Sequence, residues 1–379
     1  MKIGITCYPT YGGSGVVATE LGMALALRGH EVHFVSYEVP VRLQQFVENV
    51  YYHAVEVSGY PLFKCPPYCL ALASKMHDIA LEHGLDLLHV HYAIPHALSA
   101  FLAREMLASA PLRIVTTLHG TDIVLVGADS SYKSITRFGL QVSDGVTAVS
   151  EYLKRETLKL FEGNYDIEVI PNFVDTDKFA PRDNPKGRRC FARPDERIVA
   201  HLSNFRPLKR VADVIEIFAR IRAKIPSRLL MIGDGPDFYK ADRRARELGL
   251  KKDIFFLGGQ QGVQDLLPLA DLFLLPSEFE SFGLSNIEAM SCGVPVISTM
   301  GSGIEESVTD GVEGFLCKPG DVDAMAERAL KILTDSEIRA RMSKAARKRV
   351  EENYDQESVV SLYEGFYERT LGRRQSHGT

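Results

Sequence analysis

Two glutamates eight positions apart, Glu280 and Glu288, flank Phe282-Gly283-Leu284, a segment that reads as a helix start just after the apolar run Leu272 to Leu275. Amides at a helix start lack internal partners and attract anions, whereas carboxylates accept hydrogen bonds from hydroxyl groups. Together they suit a ligand with both a phosphate chain and several hydroxyls, which describes a nucleotide sugar. Acidic side chains there can also simply offset the helix dipole. Upstream, Ser203-Asn204-Phe205-Arg206-Pro207-Leu208-Lys209 lies between a strand pattern and a helix pattern. Arg206 offers a planar fork and Lys209 a point charge, a pair able to hold a diphosphate or merely to begin a solvated helix.

The first half carries a second set. His119-Gly120-Thr121-Asp122 follows a strand ending at Leu118, where the glycine lets a ligand approach closely. Gly12-Gly13-Ser14-Gly15 follows the first strand and leads into a helix, a place for an anion. Gly13-x-Gly15-x-x-Ala18, with Glu38 about 20 residues on, also fits a dinucleotide fingerprint, although Tyr8 to Tyr11 intervene between strand and glycines. Asp175-x-Asp177 and Asp321-x-Asp323 superficially resemble a metal-diphosphate motif, yet one lies in a proline-rich stretch and the other reads as a helix cap. No metal is expected.

These groups need rigid elements to hold them. In the first half, strand patterns at Lys2 to Cys7, Glu31 to Tyr37, Leu87 to His91, Arg113 to Leu118 and Gly145 to Val149 alternate with helical ones at Val16 to Arg28, Pro95 to Leu107 and Glu151 to Phe161. A second alternation has strands at Ile198 to Leu202, Arg228 to Ile232, Asp253 to Leu257, Leu272 to Leu275 and Pro295 to Ser298, and three helices close the chain. Strands alternating with helices give an α/β protein: two Rossmann-like, doubly wound parallel-sheet domains facing across a cleft. The expected division is an N-terminal domain over 1–168, a linker over 169–195, a C-terminal domain over 196–355 and a final helix over 356–379 that crosses back to the first domain.

Composition narrows the partners. The 379 residues carry a net charge of −5, which disfavours nucleic acid and anionic membrane surfaces. No apolar run approaches the roughly 20 residues of a membrane-spanning helix, and the first residues read as a strand, so a cytoplasmic protein is expected. The six cysteines are scattered, as in a chain whose thiols stay reduced.

The ordered set formed by the glycine loop, His119-Gly120-Thr121-Asp122, Pro171-Asn172-Phe173-Val174-Asp175, Arg206 with Lys209, Gly233-Asp234-Gly235-Pro236, and Glu280 with Glu288 resembles the family 4 glycosyltransferases, retaining enzymes of the GT-B fold. Many members separate the phosphate-binding Arg and Lys by five positions, against three here. The resemblance implies His119, Arg206, Lys209 and Glu280 as catalytic groups, with Gly15, Asn204, the Phe282, Gly283 and Leu284 backbone and Glu288 completing a donor site. Cys7 to Glu20, His89 to His96 and Ser203 to Arg206 resemble a branch of that family acting in bacillithiol biosynthesis. That likeness implies UDP-N-acetylglucosamine as donor and L-malate as acceptor. Tyr11, Gly13, Ser14, Tyr92, Thr121 and Arg137 are then candidates for holding malate, Arg137 equally fitting an ordinary surface helix. Alternatives are another small or lipid acceptor, or a dinucleotide-dependent oxidoreductase. Neither a cofactor nor a macromolecular partner is implied, and self-association is left open.

Overall fold

The computed structural model describes residues 1–10, 12–43, 46–57, 59, 64–107, 111–163 and 165–372. They form two compact units, Met1–Pro171 with the chain from Ser358 onward, and Asn172–Glu357. Among the described residues, the first unit contains strands β1 (Lys2–Thr6), β2 (Glu31–Ser36), β3 (Val50–Ala54), β4 (Leu87–His91), β5 (Arg113–Leu118), β6 (Gly145–Ala148) and β7 (Ile167–Val169). All pair in parallel, in the order β3-β2-β1-β4-β5-β6-β7. Helices α1 (Gly13–Leu27), α2 (Tyr68–His83), α3 (Leu98–Met106), α4 (Ser130–Val142) and α5 (Glu151–Phe161) make the crossovers. Every residue of β4 and β5 is buried, as expected of parallel strands covered on both faces. A Cβ on Gly22 of α1 would lie 2.3 Å from the Phe34 ring, so its absence lets α1 sit down on β2.

The second unit opens with α6 (Pro185–Arg189) and repeats the plan. Its strands β8 (Arg197–Leu202), β9 (Ser227–Ile232), β10 (Ile254–Gly258), β11 (Leu272–Leu275), β12 (Val296–Thr299) and β13 (Gly314–Cys317) run parallel in the order β10-β9-β8-β11-β12-β13. The helices are α7 (Val211–Arg222), α8 (Phe238–Glu247), α9 (Val263–Leu266), α10 (Leu284–Ser291), α11 (Ile304–Ser307), α12 (Val322–Thr334) and α13 (Ser336–Asn353). Val214, Ile217, Phe218 and Ile221 of α7 and Met325, Ala329 and Ile332 of α12 share one apolar core with Leu229, Leu272 and Ile297 of the sheet. In each sheet the strand order reverses beside the first strand of the unit, between β1 and β4 and between β8 and β11. Loops leaving the carboxyl ends there are the usual ligand-binding positions of such folds.

The expected strands lie within about a residue of those observed. The sequence reading lacks β3, α2, β7, α6, α11 and β13, and has α4 only as a helix around Ile135 to Phe138. It also starts the first helix at Val16, whereas α1 begins at Gly13, so Gly13, Ser14 and Gly15 occupy a first helical turn rather than a loop. Residues 172–195, expected as part of a linker, are grouped with the second unit: Phe173, Val174, Phe179 and Ala192 are buried, and Val174 pairs with Asp355. The final helix, α14 (Gln356–Gly372), continues from Ser358 as part of the first unit, where Tyr363, Phe366 and Tyr367 are buried. None of the described helices is long and apolar enough to cross a membrane.

Candidate active site

In the first unit three strand ends carry the polar groups. The turn after β1 passes so close to α1 that a Cβ on Gly15 would lie 2.5 Å from the Tyr8 carbonyl and 2.8 Å from that of Thr10. Packing therefore accounts for Gly15, which the resemblance assigned to the donor. Ser14 donates to the Tyr92 hydroxyl at 2.9 Å, tying the first turn of α1 to the end of β4. Tyr92 holds a φ of 93°, strained for a side chain with a Cβ and a feature that clusters at ligand sites. Tyr11 lies outside the described residues.

His119 is half-buried at the end of β5 and faces His91 from β4, with Nε2 2.8 Å from His91 Nδ1. Burial lowers the His119 pKa to about 3, and burial with the neighbouring imidazoles holds His91 well below the ordinary histidine range. Both rings are therefore neutral at pH 7. The following turn is pinned by Asp122, whose carboxylate accepts from the amides of Ala93 at 3.0 Å, Gly120 at 2.9 Å and His119 at 3.2 Å. Burial raises the Asp122 pKa to about 6 against the lowering pull of those amides. Thr121 sits half-buried beside it. Arg137 lies on α4, whose Gly139 approaches the Ala93 carbonyl; the guanidinium is half-buried, and its Nε has no partner among the described residues.

Beside His91, the His89 ring lies tilted with its centroid 4.4 Å away and bonds to Tyr367 of α14 and to Thr117 of β5, both at 2.7 Å. His96 donates from Nδ1 to the His91 carbonyl at 2.6 Å, which leaves its buried Nε2 as an acceptor without a partner among the described residues.

In the second unit the turn after β8 is held by a polar chain. His201 donates to the Leu274 carbonyl at 2.8 Å and meets the Ser203 hydroxyl at 2.8 Å, and that hydroxyl accepts from Phe205 N–H at 3.3 Å. Phe205 is fully buried at a φ of 40°, fixing the direction in which Arg206 and Lys209 leave the strand. Asn204 has a buried Oδ1 without a partner among the described residues. Lys209 Nζ donates to Glu280 Oε1 at 2.5 Å, and Ser277 donates to the same oxygen at 2.7 Å. The structure thus pairs with each other the two groups that the sequence reading assigned separately to diphosphate and sugar. Arg206 is exposed and has no ion pair among the described residues.

Gly283 caps α10 with a φ of 85°, presenting the amides at the helix start, while the Phe282 ring is buried against Tyr354. Leu284 opens the helix and Glu288 is buried one turn further on. The loop after β12 closes onto this segment: Gly303 N–H donates to the Glu280 carbonyl at 2.9 Å, and a Cβ on Gly303 would lie 1.9 Å from that of Ser281. Nearby in the chain, Ser302 Oγ and Asn286 Nδ2 are buried without partners among the described residues. Asp175 accepts from the amides of Asp177 and Lys178 and Asp321 from that of Ala324, turn and cap roles as expected.

Sequence reasoning left His91, Ser277, Ser302 and Gly303 without roles, and counted Asp122 among the polar groups for substrate where its carboxylate is taken up by backbone amides. Ser277, three residues before Glu280, was the findable one. The loop after β12 gave no signal, because β12 and β13 must both be placed before Ser302-Gly303 stands at a strand's carboxyl end.

The chain is similar to known proteins along nearly its whole length. Residues 11–178 match "Glycosyltransferase Family 4" and residues 186–349 match "Glycosyl transferases group 1". The chain is 47% identical over 368 residues, covering 97% of itself and 96% of its relative, to N-acetyl-alpha-D-glucosaminyl L-malate synthase of Bacillus anthracis. It is 28% identical over 348 residues, 85% of the chain and 79% of the relative, to a D-inositol 3-phosphate glycosyltransferase of Mycolicibacterium smegmatis. In fold it is similar to Anabaena HepE, solved in complex with UDP and glucose, with a TM-score of 0.81 at 21% identity over 96% of this chain and 98% of that one.

Proposed function

Because this chain belongs to the family 4 glycosyltransferases, we propose that it transfers N-acetylglucosamine from UDP-N-acetylglucosamine to the hydroxyl of L-malate, with retention at the anomeric carbon. The observation that carries the reading is the 47% identity to an N-acetyl-alpha-D-glucosaminyl L-malate synthase along 97% of the chain.

The second unit takes the donor. Glu288 holds the ribose hydroxyls, and the α10 amides with Lys209 and Arg206 meet the diphosphate. As the bond from C1 to the phosphate oxygen breaks, negative charge grows on the β-phosphate; preorganised cations and amides stabilise that change without needing a metal. Donor binding draws Lys209 onto phosphate and frees Glu280 to accept from sugar hydroxyls. The first unit takes malate. The amides opening α1, Ser14, Tyr92, Thr121 and Arg137 receive its two carboxylates, with Arg137 supplying positive charge. Neutral His119 contacts the sugar rather than acting as a nucleophile. The malate hydroxyl attacks from the face that the phosphate leaves, and the departing phosphate accepts its proton. No covalent enzyme intermediate forms, and the reaction belongs in the cytoplasm.

UDP release, followed with L-malate, an inositol phosphate or no acceptor, tests the assignment. Release that depends on malate supports it. Release with inositol phosphate alone keeps the class and replaces the acceptor.

A further inference from the structure

On the first unit, three histidines from three elements converge: His33 of β2, His53 of β3 and His83 at the end of α2. One ring nitrogen from each lies within 4.8 Å of those from the other two. His33 Nδ1 is 2.9 Å from His53 Nε2, and the His33 ring centroid is 4.4 Å from that of His83. His33 is fully buried and the other two are half-buried, so the cluster is reachable from solvent. The other nitrogen of His33, Nε2, lies 3.0 Å from Glu31 Oε1, and Lys2 is 3.3 Å from that carboxylate.

We propose that His33, His53 and His83 form a binding site for a late first-row divalent cation of the zinc type, held apart from the transfer chemistry. A carboxylate on the far nitrogen of a histidine is the usual support of an imidazole ligand: it fixes Nε2–H and leaves the Nδ1 lone pair for the metal. Imidazole nitrogens about 2.0 Å from a tetrahedral zinc ion are about 3.3 Å from one another, and His33 Nδ1 and His53 Nε2, at 2.9 Å, already stand close to that spacing. A water molecule would take the fourth position. Burial lowers the pKa of both His33 and His53, leaving each as the neutral imidazole that a cation needs. Three imidazoles favour zinc, copper or nickel over magnesium or calcium.

The position indicates what the site does. β3 is an edge strand of the sheet, and His83 closes a helix that leads into the start of β4. His119, Tyr92 and the glycine turn stand just past the carboxyl ends of β5, β4 and β1, whereas His33 and His53 lie within β2 and β3, toward the edge of the sheet. A bound cation would therefore staple β3 and α2 to β2 without touching donor or acceptor. The motif is not visible in sequence, where its members stand 20 and 30 positions apart with no ligand spacing.

The test is zinc binding to the chelator-treated full-length protein, by competition with a chromophoric chelator at pH 7.5, with thermal melting in parallel. About one zinc ion per chain should bind and raise the melting temperature. His53→Ala and His83→Ala should each weaken binding at least tenfold, and Glu31→Gln by about 10–100-fold, while transfer without metal stays unchanged. Cys65→Ser/Cys69→Ser/Cys190→Ser, which removes the three exposed thiols, should still bind. Failure of the wild type to bind zinc overturns the proposal. So does binding that survives in the His53→Ala/His83→Ala double variant, provided its far-ultraviolet circular dichroism matches the wild type.

Discussion

Lys209, Glu280 and Ser277 meet on one carboxylate oxygen, and the balance among them decides how the second unit handles charge. Lys209→Ala removes the cation that faces the departing phosphate and leaves Glu280, 12% exposed, without its counter-ion. Turnover should fall about 10²–10³-fold, the usual cost of losing one such group, with a smaller change in donor KM. Near-normal turnover would refute its role. Arg137 offers the corresponding test in the first unit. A hydrogen bond to a charged group contributes about 1.5–3 kcal/mol, so Arg137→Ala should raise malate KM about tenfold or more at nearly constant donor KM. An unchanged malate KM would make Arg137 the ordinary helix residue that its sequence context allows. The residue types at both places were legible because few side chains suit phosphate or carboxylate. Their mutual pairing was not, since 71 positions separate Lys209 from Glu280.

At the scale of elements, the glycine turn after β1 is set by packing as much as by ligand chemistry. Gly15→Ala should displace the backbone of Tyr8 and Thr10, destabilise the protein by about 1–3 kcal/mol and shift Ser14 away from Tyr92. Calorimetry and malate kinetics on the one variant measure both effects, and unaltered stability would show that the turn has room. Strands buried on both faces, such as Leu87–His91 and Leu272–Leu275, announce themselves as short apolar runs. β3 does not: Val50-Tyr51-Tyr52-His53-Ala54 is half-exposed at a sheet edge and carries polar tips. β13 is as short and as buried as Leu272–Leu275, but Gly314 and Cys317 at its ends leave an apolar run of only Phe315-Leu316 to mark it. The missing α2 has the same root, because without β3 there was no second strand for it to connect. The start of α1 was misplaced because Gly13, Ser14 and Gly15 are weak helix formers, admitted there by close packing against the turn.

Across the molecule, the first unit concentrates neutral, buried histidines. Burial lowers His89 to about 3 and His96 to about 4, against about 6.5 in an unfolded chain. Below pH 6.5 the unfolded chain takes up protons that the folded one refuses, so stability complete above that pH is lost as pH falls toward 4. At pH 5 the loss is about 2 kcal/mol for each of the two, with His91, His119 and His201 adding in the same direction. Asp122, raised to about 6, works the other way and returns only about 1 kcal/mol. Urea unfolding at pH 7 and pH 5 should therefore show a marked loss at the lower pH, and equal stability would contradict the buried-histidine account. The division into two parallel-sheet units was readable from the alternation of strand and helix patterns. The membership of residues 172–195 was not, because prolines and charges conceal how Phe173 and Phe179 pack into the second unit.

The central claim concerns what is joined to what, and the most direct measurement is the product itself. Protein incubated with UDP-N-acetylglucosamine and L-malate in EDTA should yield a compound with the mass of N-acetylglucosaminyl-malate, and its anomeric proton should show the small coupling of an α-linkage. A β-linked product would contradict retention, and a malate-free product or none at all would contradict the assigned acceptor and donor.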